Sequence, residues 1–349
     1  MKVTAGSRFV KIAGLTLLAG VLLITGCGNK ENAAPAAGPS DSAAVQEQPK
    51  KLQEVKLVLD WTPNTNHTGL YAARDNGYWE KRGLKVEIIQ PPETGADALV
   101  ASGTAQFGVG AQEAMILARE QGLPIVSLAA VIQHNTSGFA SPASKNIKQP
   151  KDFEGKTYGG WGSPAEQAVI DSLMQVQKAD VSKVTFVNAG TADFFTAVKK
   201  DIDFEWIFYG WTGIEAELRK EPINMIYLAD YSKQLDYYTP LLTTNEKMIK
   251  EKPDVVRAFV EGAAEGYQYA IDNPEASADL LLKAVPELNA DLVKASQNWL
   301  SPKYKDDAAR WGEQKKEIWS GYGDWMQQHG LLKKELNYDE MFTNEFLPK

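Results

Sequence analysis

The sequence has few of the residues that build metal and disulfide sites. Its 349 residues include one cysteine and three histidines. A single cysteine excludes a disulfide framework and any zinc site made of several thiolates. His134 and His329 lack the spacing of metal ligands. Lysine and arginine number 37 against 45 acidic residues, a net charge of −8. This balance argues against a nucleic-acid binder, which needs basic residues to neutralise phosphates.

Catalytic signatures are missing as well. The sequence has no Gly-x-Ser-x-Gly nucleophile elbow, and its glycine-rich segment 159–166 lacks the Gly-Lys-Ser/Thr ending of a phosphate-binding loop. Beyond scattered carboxylates, we find no acid–base pair. We therefore expect a protein that binds a ligand without a catalytic residue, a cofactor or a metal.

The one cysteine stands at the end of a targeting signal. Three basic residues precede an apolar run over residues 12–24, which is typical of a secretory signal and short for a membrane span. The segment Leu23-Ile24-Thr25-Gly26-Cys27 resembles the bacterial lipobox, whose cysteine is acylated. We expect a signal peptide over residues 1–26, a lipid on Cys27 and a flexible tether over residues 27–51. An uncleaved anchor or an ordinary signal peptide is the alternative.

From residue 52 onward, β-branched and apolar runs alternate with helical patterns. Strands of this kind are predicted at 55–59, 84–89, 105–110 and 125–132, and a second series follows within 156–229. The alternation predicts an α/β fold with parallel, doubly wound sheets. The simplest assembly has two lobes joined by two chain crossings at a hinge. The first lobe would comprise residues 52–140 plus 240–349, and the second lobe residues 141–239.

The loop after the first predicted strand has the densest polar and aromatic pattern. Ligands of doubly wound sheets bind at the carboxyl ends of strands, and this loop places Trp61, Asn66 and His67 there. A flat heterocycle needs an aromatic face for stacking and amide or imidazole groups for its edge. The alternative is a helix-capping loop with Trp61 in the core.

A second candidate loop follows the first strand of the inserted lobe. Trp161, Gly162 and Ser163 lie between a predicted strand and a helix, with Glu166 in the first helical turn. Glycine permits close backbone approach, and free helical N–H groups bind acceptors. Ser163 and Glu166 also fit a capping box, which is the structural alternative.

Further candidates lie at strand ends and at the second crossing. One predicted strand ends in Tyr209 and Trp211, and Glu215 follows one turn later. A carboxylate suits an aminopyrimidine because it accepts from the exocyclic amine. The alternative is a strand core with a solvated helix.

The end of the third predicted strand offers Gln112, with the adjacent Glu113 as the alternative, for contact with the cleft. Tyr238 lies at the second crossing.

One segment indicates a family. Residues 59–79, Leu-Asp-Trp-Thr-Pro-Asn-Thr-Asn-His-Thr-Gly-Leu-Tyr-Ala-Ala-Arg-Asp-Asn-Gly-Tyr-Trp, closely resemble the opening of thiamin-pyrimidine-precursor binding proteins. These are lipoproteins of ABC importers, and the likeness covers about 52–349. It implies a periplasmic-binding-protein type II fold, capture of N-formyl-4-amino-5-aminomethyl-2-methylpyrimidine (formylaminopyrimidine), and permease and ATPase partners. It also implies a monomer anchored by lipid at the extracytoplasmic face of the cell membrane.

The wider superfamily leaves two alternatives, a binder of sulfonate or taurine and a pyrimidine-precursor synthase. His67 matches the histidine that supplies pyrimidine atoms in fungal synthases. Those enzymes also have a pyridoxal-phosphate lysine where this chain reads Phe107-Gly-Val-Gly-Ala111, and a cysteine-rich stretch where it reads Leu235-Asp-Tyr-Tyr-Thr-Pro240. Both departures favour a binding protein over an enzyme.

Overall fold

The computed structural model describes residues 51–92, 95–190 and 192–349. These residues form two five-stranded sheets flanked by helices. In the part of the chain that the structure describes, every helix is too short or too polar to span a bilayer. The predicted signal peptide, Cys27 and all but the last residue of the predicted tether lie outside the described residues.

The first sheet has the strand order β2-β1-β3-β10-β4. Its strands are β1 Gln53–Val58, β2 Leu84–Ile89, β3 Phe107–Gly110, β4 Ile125–Ala130 and β10 Leu241–Asn245. β1 pairs in parallel with β2 and β3, whereas β10 is antiparallel to both β3 and β4. The inner strands β3 and β10 are buried at every position, as expected within a covered sheet. The edge strand β4 is buried as well.

The second sheet has the strand order β7-β6-β8-β5-β9. Its strands are β5 Ser137–Pro142, β6 Thr157–Gly160, β7 Thr185–Asn188, β8 Phe204–Phe208 and β9 Ile223–Tyr227. β6 pairs in parallel with β7 and β8, and β5 is antiparallel to β8 and β9. The two sheets therefore share one plan, in which one strand runs against the others.

Eleven α-helices cover the sheets in the described ranges. They are α1 Thr68–Asp75, α2 Ala96–Ala101, α3 Gln112–Glu120, α4 Pro164–Val176, α5 Phe194–Ala197, α6 Ile214–Arg219, α7 Glu246–Glu251, α8 Pro253–Asp272, α9 Pro274–Ala284, α10 Ala290–Leu300 and α11 Lys316–Gln328. A single π-helical turn, Tyr209–Gly213, joins β8 to α6.

The predicted α/β class with two lobes and two chain crossings is confirmed, whereas the prediction of wholly parallel sheets is wrong. The chain enters β5 and β10 directly from the crossings, so each of these strands runs away from the crossing and against its neighbours. β5 is a strand that the sequence pattern does not predict, since Ser137–Pro142 contains one large apolar residue. β5 lies in the second sheet, slightly ahead of residue 141; the lobe boundaries themselves stay predictions.

Close packing of α1 against α8 positions the loop that precedes α1. Gly69 and Gly266 lie at the contact, and a Cβ added at Gly266 would fall 2.8 Å from Ala73 Cβ and closer still to the Gly69 carbonyl oxygen. From α8, Tyr267 donates its hydroxyl hydrogen to the Asn66 carbonyl oxygen at 2.7 Å. The glycines therefore let two helices approach until α8 holds the loop directly.

Candidate functional site

The two chain crossings connect the carboxyl edges of the two sheets. One crossing leads from the end of β4 into β5, and the other leads from the end of β9 into β10. Because β5 and β10 are antiparallel to their neighbours, each begins at the carboxyl edge of its sheet. Both crossings therefore join carboxyl edge to carboxyl edge. The loops after β1, β3, β6 and β8 lie at these edges, where ligands of such sheets bind.

His67 supports the loop after β1. The imidazole is fully buried; its Nδ1 accepts the Asn64 backbone N–H at 3.2 Å, and its Nε2 lies 2.7 Å from Asp60 Oδ1. Because Nδ1 accepts, the proton resides on Nε2 and is donated to Asp60. No ring nitrogen is left for a ligand. We therefore correct the predicted ligand contact of His67 to a structural role.

Trp61 and Asn66, on the same loop, stay candidates for ligand contact. The Trp61 side chain is 55% exposed, so its alternative placement in the core is wrong. Asn66 is half-buried, and its backbone is held by Tyr267 and by the Asn64 side chain. The loop therefore presents an exposed aromatic face, which can stack on a flat ring.

Glu166 binds three backbone N–H groups of the loop after β6. The carboxylate is buried and accepts from the Tyr158 hydroxyl at 2.6 Å and from the N–H groups of Trp161, Gly162 and Ser163 at 3.0, 2.8 and 2.7 Å. Ser163 caps α4 by accepting from the Ala165 N–H, which completes the capping box.

This inward arrangement corrects part of the prediction for the same loop. The three N–H groups point at Glu166 and not at a ligand. The two carboxylate oxygens of Glu166 already accept four hydrogen bonds, which matches their four lone pairs. Gly162 has a φ of +88°, a conformation that glycine adopts without strain. The structural alternative therefore holds for Gly162, Ser163 and Glu166.

An aromatic surface remains at the end of the second sheet. The Trp161 side chain is 48% exposed, and its ring centroid lies 5.4 Å from that of Trp206. The indole nitrogen of Trp206 is buried without a partner among the described residues. Phe208, two residues further on the same face of β8, is 42% exposed. Trp206 and Phe208 are not among the predicted site residues, although their alternation along the strand was the available signal.

The π-helical turn contacts the first lobe. Trp211 packs on an apolar cluster from α1, α9 and α10, and the Gly210 carbonyl accepts from the Ser296 hydroxyl. Tyr209 donates to Glu217. Burial, followed by this hydrogen bond, raises the pKa of Tyr209. This turn therefore closes one side of the space between the lobes.

Three predicted contacts have protein partners instead. Glu215 pairs with Arg219 one turn along α6 at 2.5–2.8 Å. Gln112 is buried, donates to the Ile318 carbonyl at 3.1 Å and accepts the Tyr238 N–H at 2.9 Å. The Tyr238 hydroxyl accepts the Lys315 N–H at 3.0 Å, and burial raises the Tyr238 pKa to about 12. Gln112 and Tyr238 thus tie the second crossing to α3 and to the chain leading into α11.

The edges are acidic. The loops 59–69, 107–116, 157–168 and 204–218 contain no lysine or arginine. Burial and the charge of Asp60 raise the pKa of Asp97 to about 6. Burial, with a smaller contribution from the charge of Glu166, raises the pKa of Glu113 to about 7. In the described ranges, no group of three histidine, cysteine or acidic side chains is arranged to hold a metal ion.

These raised pKa values predict that the ligand-free protein loses stability between pH 5 and pH 7.5. Asp97 and Glu113 bind protons in the folded state that they have already released in the unfolded chain. The unfolded chain therefore binds fewer protons in this range, and stability falls as the pH rises. Burial lowers the pKa of His134, but its hydrogen bonds to Asp236 and Asp307 raise the pKa by more. The raised pKa of His134 likewise makes stability fall as the pH rises.

Thermal melts across this range test the prediction. Glu113→Gln should flatten the profile, whereas Glu80→Gln, an exposed substitution, should not. A melting temperature that rises toward pH 7.5 in the wild type would contradict it.

The architecture is that of the two-lobed periplasmic binding proteins. Among solved structures, the alkanesulfonate-binding protein SsuA from Xanthomonas axonopodis superimposes with a TM-score of 0.65 at 12% identity, over 83% of this chain and 98% of that one. The ligand-binding component of an ABC-type import system from Staphylococcus aureus gives a TM-score of 0.65 at 15% identity, over 84% and 97%. At these identities the likeness establishes the fold.

The chain belongs to the NMT1/THI5-like family, whose model matches residues 64–277. The formylaminopyrimidine-binding protein of Halalkalibacterium halodurans is 28% identical over 84% of this chain and 90% of the relative. The riboflavin-binding protein RibY of Chloroflexus aurantiacus is 27% identical over 94% and 95%. The 4-amino-5-hydroxymethyl-2-methylpyrimidine phosphate synthase of Legionella pneumophila is 23% identical over 84% and 92%. The predicted family resemblance is confirmed.

Proposed function

We propose that the protein is the extracytoplasmic solute-binding component of an ABC importer and captures formylaminopyrimidine between its lobes for thiamin salvage. The observation that carries the proposal is the pair of exposed indoles, Trp61 and Trp161, at the carboxyl edges that the crossings connect. Aromatic faces of this kind stack on flat heterocycles. We assign Trp61, Asn66 and Trp161 to the ligand, with Phe208 and the Trp206 N–H beside them.

The charge of the edges favours a nitrogen heterocycle over an anion. A sulfonate needs arginine, lysine or free backbone N–H donors. The four edge loops lack basic residues, and the N–H groups of residues 161–163 are taken by Glu166. A neutral or cationic ring with N–H donors meets acceptors here. This argument disfavours the alkanesulfonate or taurine alternative.

We further propose that the protein binds without turnover. In the synthase-like alternative the histidine must react, yet His67 is buried and both of its ring nitrogens have protein partners. The segment 107–111 has no lysine, and the segment 235–240 has no cysteine. These features support a receptor, although synthases are among the relatives.

Calorimetry tests the ligand assignment directly. The mature protein is titrated with formylaminopyrimidine, riboflavin, thiamin and an alkanesulfonate. We expect one-to-one binding of the pyrimidine and its recovery unchanged after incubation. Absence of heat with the pyrimidine would refute the assignment. Heat with riboflavin alone would show that the ligand is a larger flat heterocycle.

Replacing Trp61 with alanine should weaken binding of formylaminopyrimidine about tenfold or more, since stacking of a base on an aromatic side chain contributes about 1–3 kcal/mol. The exposed side chain contributes little to the core, so the melting temperature should stay near that of the wild type. Phe186→Ala is the matched control, because Phe186 is exposed within β7 and not at a carboxyl end. Equal affinities of Trp61→Ala and wild type would remove Trp61 from the site.

We propose lipid attachment at Cys27 as the anchor that holds the receptor at the membrane. Cys27→Ser should abolish incorporation of labelled palmitate and release the protein from the membrane fraction. Because Cys27 is the single cysteine, any label on the variant would show that the lipid is attached elsewhere. Retention of the unlabelled variant in the membrane would favour an uncleaved anchor.

A further inference from the structure

One buried carboxyl oxygen at the candidate site has no protein partner. Asp97 lies in the first turn of α2, and its Oδ1 atom is buried without a hydrogen bond to any described residue. A carboxylate oxygen taken out of water normally has a donor, because desolvation without one costs free energy. A buried polar group without a partner in a folded protein calls for an explanation, and a ligand that supplies the donor is one.

The position of Asp97 is at the carboxyl edge of the first sheet. A Cβ added at Gly110, the last residue of β3, would lie 3.2 Å from Asp97 Oδ1. The carboxyl group therefore sits over the end of β3, where a side chain on residue 110 would crowd it. Asp60 lies on the loop that also contains Trp61, and its negative charge contributes to the raised pKa of Asp97.

No basic residue in the neighbouring elements neutralises this carboxyl group. α2 packs against β3, β10 and β4, and none of these strands contains an ionisable residue. Asp60 is already held by the His67 Nε2–H, so it adds negative charge and no donor. Burial and this charge together raise the pKa of Asp97 to about 6. In the ligand-free protein this unpartnered acceptor therefore reduces stability, and a ligand that donates a hydrogen bond to it would remove that penalty.

We propose that the Asp97 carboxyl group accepts a hydrogen bond from the exocyclic amino group of the ligand and so selects amino-substituted heterocycles. This inference rests on the proposed function, since it concerns the same cleft. The N–H dipoles of an amino group would also point their positive ends toward the negative charge of Asp60. A ligand with an anionic group or a hydrogen atom at the same position lacks this interaction. Asp97 is in this view a specificity-determining residue, and the indoles supply the stacking surface that any flat ring can use.

A structural role for Asp97 must be separated from this one. An acidic residue in the first turn also interacts favourably with the helix N-terminus. Asp254 provides the matched control, because it is likewise the second residue of its helix, α8, and is exposed. α8 follows the amino edge of the first sheet, since Asn245 at the end of β10 pairs with Ile125 at the start of β4.

The test compares the wild type and two variants with two ligands by calorimetry. The ligands are formylaminopyrimidine and its analogue with hydrogen in place of the 4-amino group; the variants are Asp97→Ala and Asp254→Ala. A hydrogen bond to a charged group corresponds to a loss of about tenfold or more in affinity. Asp97→Ala should show that loss with the amino compound and stay within about twofold with the analogue, and Asp254→Ala should change neither.

The melting temperature of the ligand-free variant provides the second readout. Asp97→Ala removes an unpartnered buried carboxyl group, so the melting temperature should stay or rise while affinity for the amino compound falls. If the alanine variant does not fold, Asp97→Asn replaces it, and the affinity of the wild type should fall from pH 7.5 to pH 5 more steeply than that of the asparagine variant.

The outcomes separate the two proposals. Equal losses with both ligands, or no loss with either, would overturn the role of Asp97 while binding of formylaminopyrimidine by the wild type keeps the proposed function. Failure of the wild type to bind the amino compound would overturn both.

Discussion

Replacing Glu166 with alanine should lower the free energy of unfolding by about 4 kcal/mol, because it leaves several buried donors without an acceptor. The Tyr158 hydroxyl and three consecutive backbone N–H groups all donate to this one carboxylate. Water can reach part of the loop, which limits the loss below the sum of four bonds. Denaturant unfolding of the ligand-free protein measures the change.

The other half of the capping box is the control. Ser163→Ala removes a single N-cap hydrogen bond and should cost about 1 kcal/mol. If both variants lose the same amount, Glu166 acts only as a cap. If Glu166→Ala loses several times more, the carboxylate organises the loop, and the affinity for ligand should fall with it, because Trp161 is the first residue that it holds.

Replacing Gly266 with alanine should destabilise the protein by about 3 kcal/mol, since overpacking at a close contact forces the elements apart. The new Cβ would meet the Gly69 carbonyl oxygen and Ala73 from the facing helix. Separating α1 from α8 also moves Tyr267 away from the Asn66 carbonyl. We therefore expect both the melting temperature and the affinity for ligand to fall.

A glycine in another helix gives the opposite expectation. Gly321 lies inside α11, and a Cβ there would have nothing within 4 Å. Gly321→Ala should stabilise the protein by about 0.5–1 kcal/mol, because alanine lowers the entropy of the unfolded chain and favours the helix. Destabilisation of both variants by the same amount would contradict the assignment of the Gly266 effect to the α1–α8 contact.

Local patterns predicted most of the elements. The pattern Leu84–Ile89 alternates and forms β2 with the predicted bounds. The apolar spacing over 308–329 predicts one helix, but α11 begins only at Lys316. Gly312 has a φ of +87° and its carbonyl accepts the Ala130 N–H at 3.0 Å, so the chain joins the first sheet before α11 begins. Pairing with a distant strand of this kind leaves no local trace in sequence.

The candidate site was harder to predict than the fold. Residue types indicated the loops with Trp61 and Trp161, both of which are exposed at the carboxyl edges. Whether a polar group faces a ligand or another residue depends on three-dimensional geometry: the N–H groups after β6 point inward to Glu166, and His67 points to Asp60. Asp97 carried no signal, because its lack of a partner is a property of the folded environment.

The strand order of the first sheet also determines when it can be completed during synthesis. β3 and β4 are consecutive strands that do not pair, and the strand that fills the gap between them ends at Asn245. The first sheet therefore stays in two pieces until that residue is available, whereas all five strands of the second sheet have been made by Tyr227. The second sheet can therefore form first, and the first sheet is completed afterwards through pairings of long sequence separation, which form slowly.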